Sequence, residues 1–346
     1  MVIIGSCLSP EKSDNKIAAA WFNAVEEMVF DDEWLEENYT ASSWIQNPGA
    51  DMKRLRSLQA AYFVCLFQNW EGSESSKQRI RRHRYNTLIA IVRSLQPASV
   101  THMNTLRAVN NQLFEWESFI NTEEKIRTLS YVFLLDGGFV IFNNMPPRMV
   151  VSELEMGLAC PDECFQAPSA SECLAILETW AGKTPQFYQY SIVSVLETMF
   201  RRDLSVEKKG IYAHFGILNL FIIVTALHTL VFQLQNAMAP PEAFQRIENA
   251  LRSWKDVWVY RKVVLCYSDD IEDADSSFQM WKRVGFMRDA CEFWLLCCVI
   301  LERIRPNEHD DSTSSVPGRA LTKYDQTDMK QVNDLMKQFE TVSLTD

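Results

Sequence analysis

Glycine and proline are scarce in this chain of 346 residues, with 11 and 12 copies, and their combined share is below average usage. A β-sandwich or barrel needs turn residues about every 8 to 12 positions between its short strands, so this scarcity argues against both folds. Hydrophobic residues make up 47% and aromatic residues 12% of the chain, which excludes disordered, collagenous and low-complexity classes. We expect a globular, mostly helical protein.

An excess of positive charge is also lacking. Lys and Arg number 34 against 45 Asp and Glu, which gives a net charge of −11. Proteins that bind nucleic acids normally carry a basic stripe, because their affinity comes largely from cations that replace counterions on phosphates. The one basic run lies between Lys77 and Arg84, and we predict that it is the solvated start of a helix. Direct nucleic-acid binding is not expected.

Motifs for cofactors and metals are missing as well. The sequence has no Walker lysine motif, GxGxxG, HExxH, GxSxG or EF-hand loop. Its nine cysteines are an odd number spread through apolar segments, which predicts reduced, buried thiols of an intracellular protein. The spacing of Cys160, Cys164 and Cys173 resembles that of metal ligands only loosely, since no second CxxC or paired His follows. We predict no metal and no cofactor.

One long segment has no charged side chain. Between Gly210 and Pro241 there is no Asp, Glu, Lys or Arg, and the stretch from Ile217 to Leu234 approaches the length of a membrane span. Polar side chains such as Asn219 and His228 interrupt it, so we predict a helix buried on all sides and no membrane span. The segment from Met1 to Pro10 lacks the basic region of a secretory signal.

Apolar residues elsewhere recur at helical spacing and predict an all-α fold. Two stripes, one around Leu55 to Leu66 and one around Leu88 to Leu95, predict a helical hairpin broken at residues 71–76. We expect a single large domain of antiparallel helices around the central buried apolar helix. Its predicted parts are an N-terminal helical extension (1–50), the main body (51–306), a polar loop (307–323) and a C-terminal helix packed on the same domain (324–346).

Three local signals refine this prediction. Ser169 is a good N-cap for a helix that reaches Trp180, and Pro240 and Pro241 fit the first turn of a helix that buries two tryptophans four residues apart. The pair Gly137–Gly138 predicts a kink or break in the long helix that runs from about residue 104 to 141.

Polar residues inside apolar segments are the candidates for a binding site. A buried polar atom without a partner costs roughly 1 to 3 kcal/mol, so each such residue either forms a core hydrogen bond or lines a ligand cavity. In a helical protein such cavities form between facing helices. The candidate ligand-binding residues are His228, Asn219, Tyr131, Asp136 and Trp294.

Three segments of the sequence, in this order along the chain, match the pattern of a known family. Residues 116–167 read WESFINTEEKIRTLSYVFLLDGGFVIFNNMPPRMVVSELEMGLACPDECFQA, and the segments YAHFGILNLFIIVTALHTLVFQLQN and GFMRDACEFWLLCCVILERI follow later. Together they resemble the middle homology region of fungal transcription factors of the zinc binuclear cluster and C2H2 kinds, over about residues 50 to 305. The landmarks of the first block are Glu124, Arg127, Asp136, Pro146, Pro147, Glu153, Cys160, Pro161 and Phe165.

The resemblance implies an all-α regulatory domain of a kind often proposed to sense small molecules. No zinc module of six close cysteines or paired CxxC and HxxxH precedes residue 50, so we expect the domain to act without one. Two hypotheses follow. In the first, the protein binds a hydrophobic terpenoid or polyketide in an interhelical pocket and acts as a cofactor-free cyclase of the Diels-Alder type, which needs only positioning and a donor to a carbonyl. In the alternative, it is a co-regulator or truncated transcription factor that binds an effector or a protein partner without chemistry.

Overall fold

The computed structural model describes residues 11–36, 49–103, 114–237, 240–267 and 285–305, together with Asp325; the side chains of 264–267 and 286 are not described. The predicted loop at 307–323 and the predicted C-terminal helix at 324–346 lie outside these residues, apart from Asp325. The proposed domain boundaries therefore stay predictions.

The described residues are built from α-helices and contain no strand, so the all-α prediction is confirmed. Short 3₁₀ turns lie at Glu33–Leu35, Pro97–Ser99, Val151–Glu153, Phe187–Gln189 and Gly285–Asp289, and one isolated β-bridge joins Gly157 to Ser191. The helices are α1 (Lys12–Phe30), α2 (Ala50–Glu71), α3 (Glu74–Arg79), α4 (Tyr85–Ser94), α5 (Trp116–Asn143), α6 (Asp162–Phe165), α7 (Ala170–Lys183), α8 (Ile192–Met199), α9 (Val206–Ala213), α10 (Ile217–Asn236), α11 (Pro241–Tyr267) and α12 (Ala290–Ile304).

The chain divides into two compact units. The first is drawn from Met1–Pro97, Tyr131–Met149 and Lys323–Asp346, and the second from Ala98–Ser130 and Val150–Thr322. Residues 116–130 of α5 belong to the second unit and residues 131–143 to the first.

In the first unit, α2 ends at Glu71 and α3 begins at Glu74, as the predicted hairpin requires. The predicted stripes of α2 and α4 are buried, with Leu55 and Leu88 fully enclosed. Helix α1 packs on α2, where the rings of Phe22 and Phe67 stack with centroids 5.0 Å apart.

A five-residue π-helical segment, Ile80–Arg84, joins α3 to α4. The prediction that the basic run is solvated is wrong at its centre, because Arg81 is only 1% exposed and Ile80 is fully buried. Buried or half-buried arginines of this run are paired with carboxylates, and Arg79 and Arg84 both bind Glu26 of α1. Pairing with acidic groups of distant segments allows the run to enter the protein interior.

Helix α5 runs continuously through Gly137 and Gly138, so the break that this pair could produce does not occur. A glycine inside a helix costs about 1 kcal/mol relative to alanine. Here the neighbours Leu135, Phe139 and Val140 are all buried, and this burial outweighs the poor helical propensity of the two glycines.

The second unit is organised around α10. Twelve consecutive residues, from Leu218 to Thr229, are buried, which confirms the prediction of a helix enclosed on all sides. Helix α11 begins at Pro241, and its Trp254 and Trp258 stack with centroids 5.1 Å apart, as predicted. The Nε1–H of Trp254 donates to the carbonyl of Leu220 in α10 at 2.9 Å.

One helix start in this unit was predicted from its capping residue, and another was not. Ser169 is the N-cap of α7, and its hydroxyl accepts a hydrogen bond from the backbone of Glu172. The helix α9, capped by Ser205, was not among the predicted helices.

By length and composition, α5 and α10 could each cross a membrane. However, 78% and 72% of their most apolar 18-residue windows are buried inside the protein. Core helices of globular proteins have this same character.

Candidate functional site

Asn219, near the start of α10, is held by the backbone of a neighbouring loop. Its Oδ1 accepts from the N–H of Ala159 at 3.0 Å, and its Nδ2 donates to the carbonyl of the same residue at 2.8 Å. The side chain is 1% exposed. It therefore satisfies both backbone polar groups of Ala159, a buried residue of the second unit.

His228 lies further along α10 and is also buried. Its Nε2–H donates to the carbonyl of Phe293 in α12 at 2.8 Å. Burial lowers the pKa of this imidazole from 6.5 to about 4, because the charged form has no counter-charge to replace its hydration. At neutral pH the ring is uncharged and acts as a hydrogen-bond donor between two helices.

Trp294 lines a groove of about 420 Å³ between α11 and α12. Its Nε1–H donates to the carbonyl of Leu251 at 2.9 Å, and the Lys255 ammonium lies 4.4 Å from its ring centroid. The groove has an apolar floor and a charged rim, and neither His228 nor Asn219 lines it. Its other lining residues are Glu248, Arg252, Asp256, Cys298, Leu301, Glu302 and Arg305.

Asp136 and Tyr131 lie in the first unit, on α5. The Oδ2 of Asp136 accepts from the backbone N–H groups of Arg148 at 2.7 Å and Met149 at 2.9 Å. Desolvation by burial raises the pKa of Asp136, and the Arg148 guanidinium 3.6 Å away opposes this shift. The ring of Tyr131 lies 6.3 Å from that of Tyr62.

The five sequence candidates are therefore divided between the units. His228 and Trp294 are related through α12, because the carbonyl that His228 binds precedes Trp294 in the chain. Asn219 binds a different segment, and Tyr131 and Asp136 lie in the first unit. Neither unit by itself brings all five to one cavity. As ligand-contact residues they stay predictions.

A buried charge centre in the second unit was missed by the sequence reasoning. Glu123 of α5 is fully buried, and its Oε1 accepts from Arg127 Nε at 2.7 Å. Its Oε2 lies 2.7 Å from His102 Nε2 and accepts from the N–H of Cys160 at 3.2 Å. Burial acts to raise the pKa of Glu123, but His102, Arg127 and the Cys160 N–H lower it overall. We call this group the Glu123 centre.

A signal for this centre was present in the sequence. Glu123 and Arg127 have the i,i+4 spacing that favours an ion pair on a helix, and the buried Phe119 and Ile126 lie on either side of it in sequence. His102 carried no comparable signal, because its partner is 21 residues away and 104–113 between them are not described.

Three atoms of the Glu123 centre could hold a metal ion. The donor atoms of His102, Glu123 and Cys160 all lie within 4.8 Å of one another and are buried. Imidazole, carboxylate and thiolate together suit zinc. Arg127 already supplies a positive charge to the same carboxylate, and burial with the nearby Glu123 charge raises the pKa of the Cys160 thiol well above its usual range. Both effects act against a cation at this position.

The residues of the family pattern turn out to join neighbouring segments. Arg127 donates to Asp162 at 2.6 Å and to the Cys160 carbonyl at 2.8 Å, and its guanidinium lies 4.8 Å from the ring centroid of Phe165. In the first unit, Asp136 binds the backbone directly after Pro146 and Pro147. The pattern thus describes how α5 holds the turns that follow it.

The cysteines bear on the redox prediction. Seven of the nine have described side chains, and all seven are free thiols. Burial raises the pKa of Cys164 and Cys173, which keeps both protonated and poorly reactive.

Comparison with known proteins adds the decisive observation. The transcription factor verF of Penicillium polonicum is 37% identical to this chain over 356 aligned positions, and the match covers 99% of the chain. Over nearly its whole length, this chain is similar to a fungal transcription factor. It spans 48% of that relative, or about half its length. No family model matches the chain, and no solved structure matches it.

Proposed function

We propose that this fungal transcription-factor-like chain is a helical regulatory part of such a factor and that it binds an effector or a protein partner without performing chemistry. The observation that carries the proposal is the similarity to verF, which runs through 99% of the chain at 37% identity. A match of that extent spans the residues of both units, rather than a single shared motif.

The polar geometry agrees with a regulatory role. A cyclase of the proposed type needs a donor aimed at a substrate carbonyl. The donors of Asn219, His228 and Trp294 are instead engaged by backbone carbonyls of the protein. Neither the similarity nor these contacts favour the cyclase hypothesis.

The same proposal gives a location. A transcription factor acts on genes, so we place the protein inside the cell, in the nucleus or in transit to it through the cytoplasm. Free buried thiols fit a reducing compartment.

A reporter experiment tests the proposal. The full chain is fused to a bacterial DNA-binding domain and expressed in a fungal host with a reporter gene behind the matching operator. We expect reporter output to change at least fivefold relative to the DNA-binding domain alone. A matched pair of variants serves as control: Glu123→Ala, which removes a buried partner, should lose the effect, and Glu117→Gln on the exposed side of the same helix should keep it.

A second measurement separates the two hypotheses. Purified chain is incubated with candidate polyene and terpenoid precursors, and product formation is followed with and without protein. Equal rates are expected. Acceleration by the wild-type chain, combined with an unchanged reporter, would overturn the regulatory proposal in favour of the cyclase.

A further inference from the structure

Arg81 is a buried cation with more donors than acceptors. It is 1% exposed, and its Nε donates to Asp325 Oδ1 at 2.7 Å while Nη1 donates to Asn69 Oδ1 at 3.0 Å. Its Nη2 is buried and has no hydrogen-bond partner among the described residues. Buried donors are almost always paired, so an unused one beside a charged group suggests a place for another acceptor.

Arg82 converges on the same carboxylate. Its Nε donates to Asp325 Oδ2 at 2.6 Å, and its side chain is 53% exposed. Consecutive residues of a helix do not normally face one another. In the π-helical segment Ile80–Arg84, the guanidinium groups of two consecutive residues nevertheless each donate to one oxygen of the Asp325 carboxylate. Carboxylates and phosphates are commonly recognised by such a two-point contact.

The surroundings of this pair carry excess positive charge. Arg148 donates to the backbone carbonyl of Arg81 and pairs with Asp136 at 3.6 Å. Among the described residues, three guanidinium groups (Arg81, Arg82 and Arg148) thus form ion pairs with two carboxylates (Asp325 and Asp136), which leaves one positive charge over. This local excess lies in a protein whose net charge is −11.

We propose that Arg81 and Arg82 form a binding site for a small phosphate-type oxyanion, and that Asp325 occupies this site as an internal competitor. A phosphate group offers more acceptor oxygens than a carboxylate, so it can take the Arg81 Nη2 donor in addition to the two Nε donors. Arg82 leaves one side of the site open to solvent. The inference rests on the proposed function and deepens it, because it gives the effector a chemical class, namely free phosphate or a phosphate ester of a metabolite.

Competition with Asp325 is the first measurable consequence. Inorganic phosphate is titrated into the full chain by calorimetry, in chloride buffer of matched ionic strength. Asp325→Asn removes the internal charge, and we expect it to bind one phosphate at least tenfold more tightly than wild type. Asp256→Asn is the matched control, since it removes a carboxylate from the ion pair with Lys209 in the other unit and should leave phosphate affinity within twofold.

Arg82 supplies the second test. Because Arg82 is half exposed, Arg82→Ala should fold, and in the Asp325→Asn background it should weaken phosphate binding at least tenfold. If Asp325→Asn does not fold, the thermal shift that phosphate gives to wild type and to Arg82→Ala is compared, and the shift should be lost in the variant. Equal affinities in wild type and Asp325→Asn, no binding at millimolar phosphate in either, or no effect of Arg82→Ala would each overturn the proposal.

Two further arms identify the source of the phosphate and separate the two proposals. A sugar phosphate that binds at least tenfold more tightly than inorganic phosphate indicates a metabolite ester, equal affinities indicate free phosphate, and the unphosphorylated sugar should not bind. The reporter assay is independent of phosphate binding to the purified chain. Phosphate binding with no reporter response would therefore retain the anion site and remove the regulatory function.

Discussion

Glu123 of the second unit and Arg81 of the first unit are both buried charges, but they are balanced in opposite ways. Glu123 is an anion that accepts from Arg127, His102 and a backbone N–H, so each of its two oxygens has at least one donor. Arg81 is a cation with a donor to spare, and the carboxylate it binds lies 244 positions away in the chain. A buried carboxylate with donors on both oxygens stabilises one structure, whereas a buried guanidinium group with an unused N–H donor leaves room for a ligand.

The largest effect is expected when the Glu123 centre is disrupted. Glu123→Ala leaves the Arg127 and His102 donors without their carboxylate, and removing one partner of a buried pair typically costs about 3 to 5 kcal/mol. Urea unfolding of the variant should show this loss in the free energy of unfolding. Glu117→Gln, on an exposed face of the same helix, should change it by less than about 0.5 kcal/mol. A Glu123→Ala variant as stable as wild type would mean that the centre is not structural.

His228 is a third buried titratable group, and it makes the stability of the protein depend on pH. The pKa of His228 falls from 6.5 to about 4 on folding, so the unfolded chain takes up the proton first as pH drops. Stability should therefore be lost between about pH 6.5 and 4, by up to about 3 kcal/mol at 1.36 kcal/mol per pKa unit.

The measurement is urea unfolding at a series of pH values. His228→Gln keeps a side-chain donor but cannot titrate, so it should lack this part of the pH dependence. His214→Gln is the matched control for replacing an imidazole by an amide, since His214 is only half-buried. Parallel curves for wild type and His228→Gln would contradict the prediction.

A smaller loss is expected at Arg81. Arg81→Met keeps an unbranched apolar stem and removes the guanidinium group, while Arg82 still binds Asp325. We expect a loss of about 1.5 to 3 kcal/mol in the free energy of unfolding, which is the scale of a charged hydrogen bond and below the loss in Glu123→Ala. Equal losses in the two variants, measured by urea unfolding, would remove the distinction between the centres.

The smallest expected effect lies outside both centres. Trp294→Phe loses the hydrogen bond to Leu251 and weakens the contact with the Lys255 ammonium, while the aromatic ring stays in the groove. A loss of about 1 kcal/mol in the free energy of unfolding is expected from one partly exposed hydrogen bond. A much larger loss would show that Trp294 supports the packing of α11 and α12 more than its exposure indicates.

Much of the fold could be predicted because its signals are local. The uncharged stretch around α10, the cap at Ser169 and the start of α11 at Pro241 each depend on neighbours within a few residues. The pair Gly137–Gly138 misled the prediction because propensity is local, whereas the burial that keeps α5 helical comes from the folded protein.

The two buried charge centres could not be predicted, because their partners are distant in the sequence. Sequence reasoning interpreted the basic run by its composition, and a run of cations is usually solvated. Arg81 is buried because the carboxylate of Asp325 and the amide of Asn69 pair with it. No sequence periodicity links these positions. Asn219 and His228 were correctly identified as buried polar residues, but their backbone partners could only be seen once the helices were packed.

The π-helical segment between α3 and α4 has a consequence for chain-length changes. A π turn closes with one residue more than an α turn, and such turns often mark functional sites. Because the π turn already absorbs one extra residue, deleting a single residue from Ile80–Arg84 would allow an ordinary helix to form from Glu74 through Ser94 with both flanks in nearly the same angular register. The apolar stripe of α4 would keep its partners, but Arg81 and Arg82 would return to α-helical spacing, in which consecutive side chains do not face one another. The extra residue is therefore tolerated by the packing of the helix and used by its arginines.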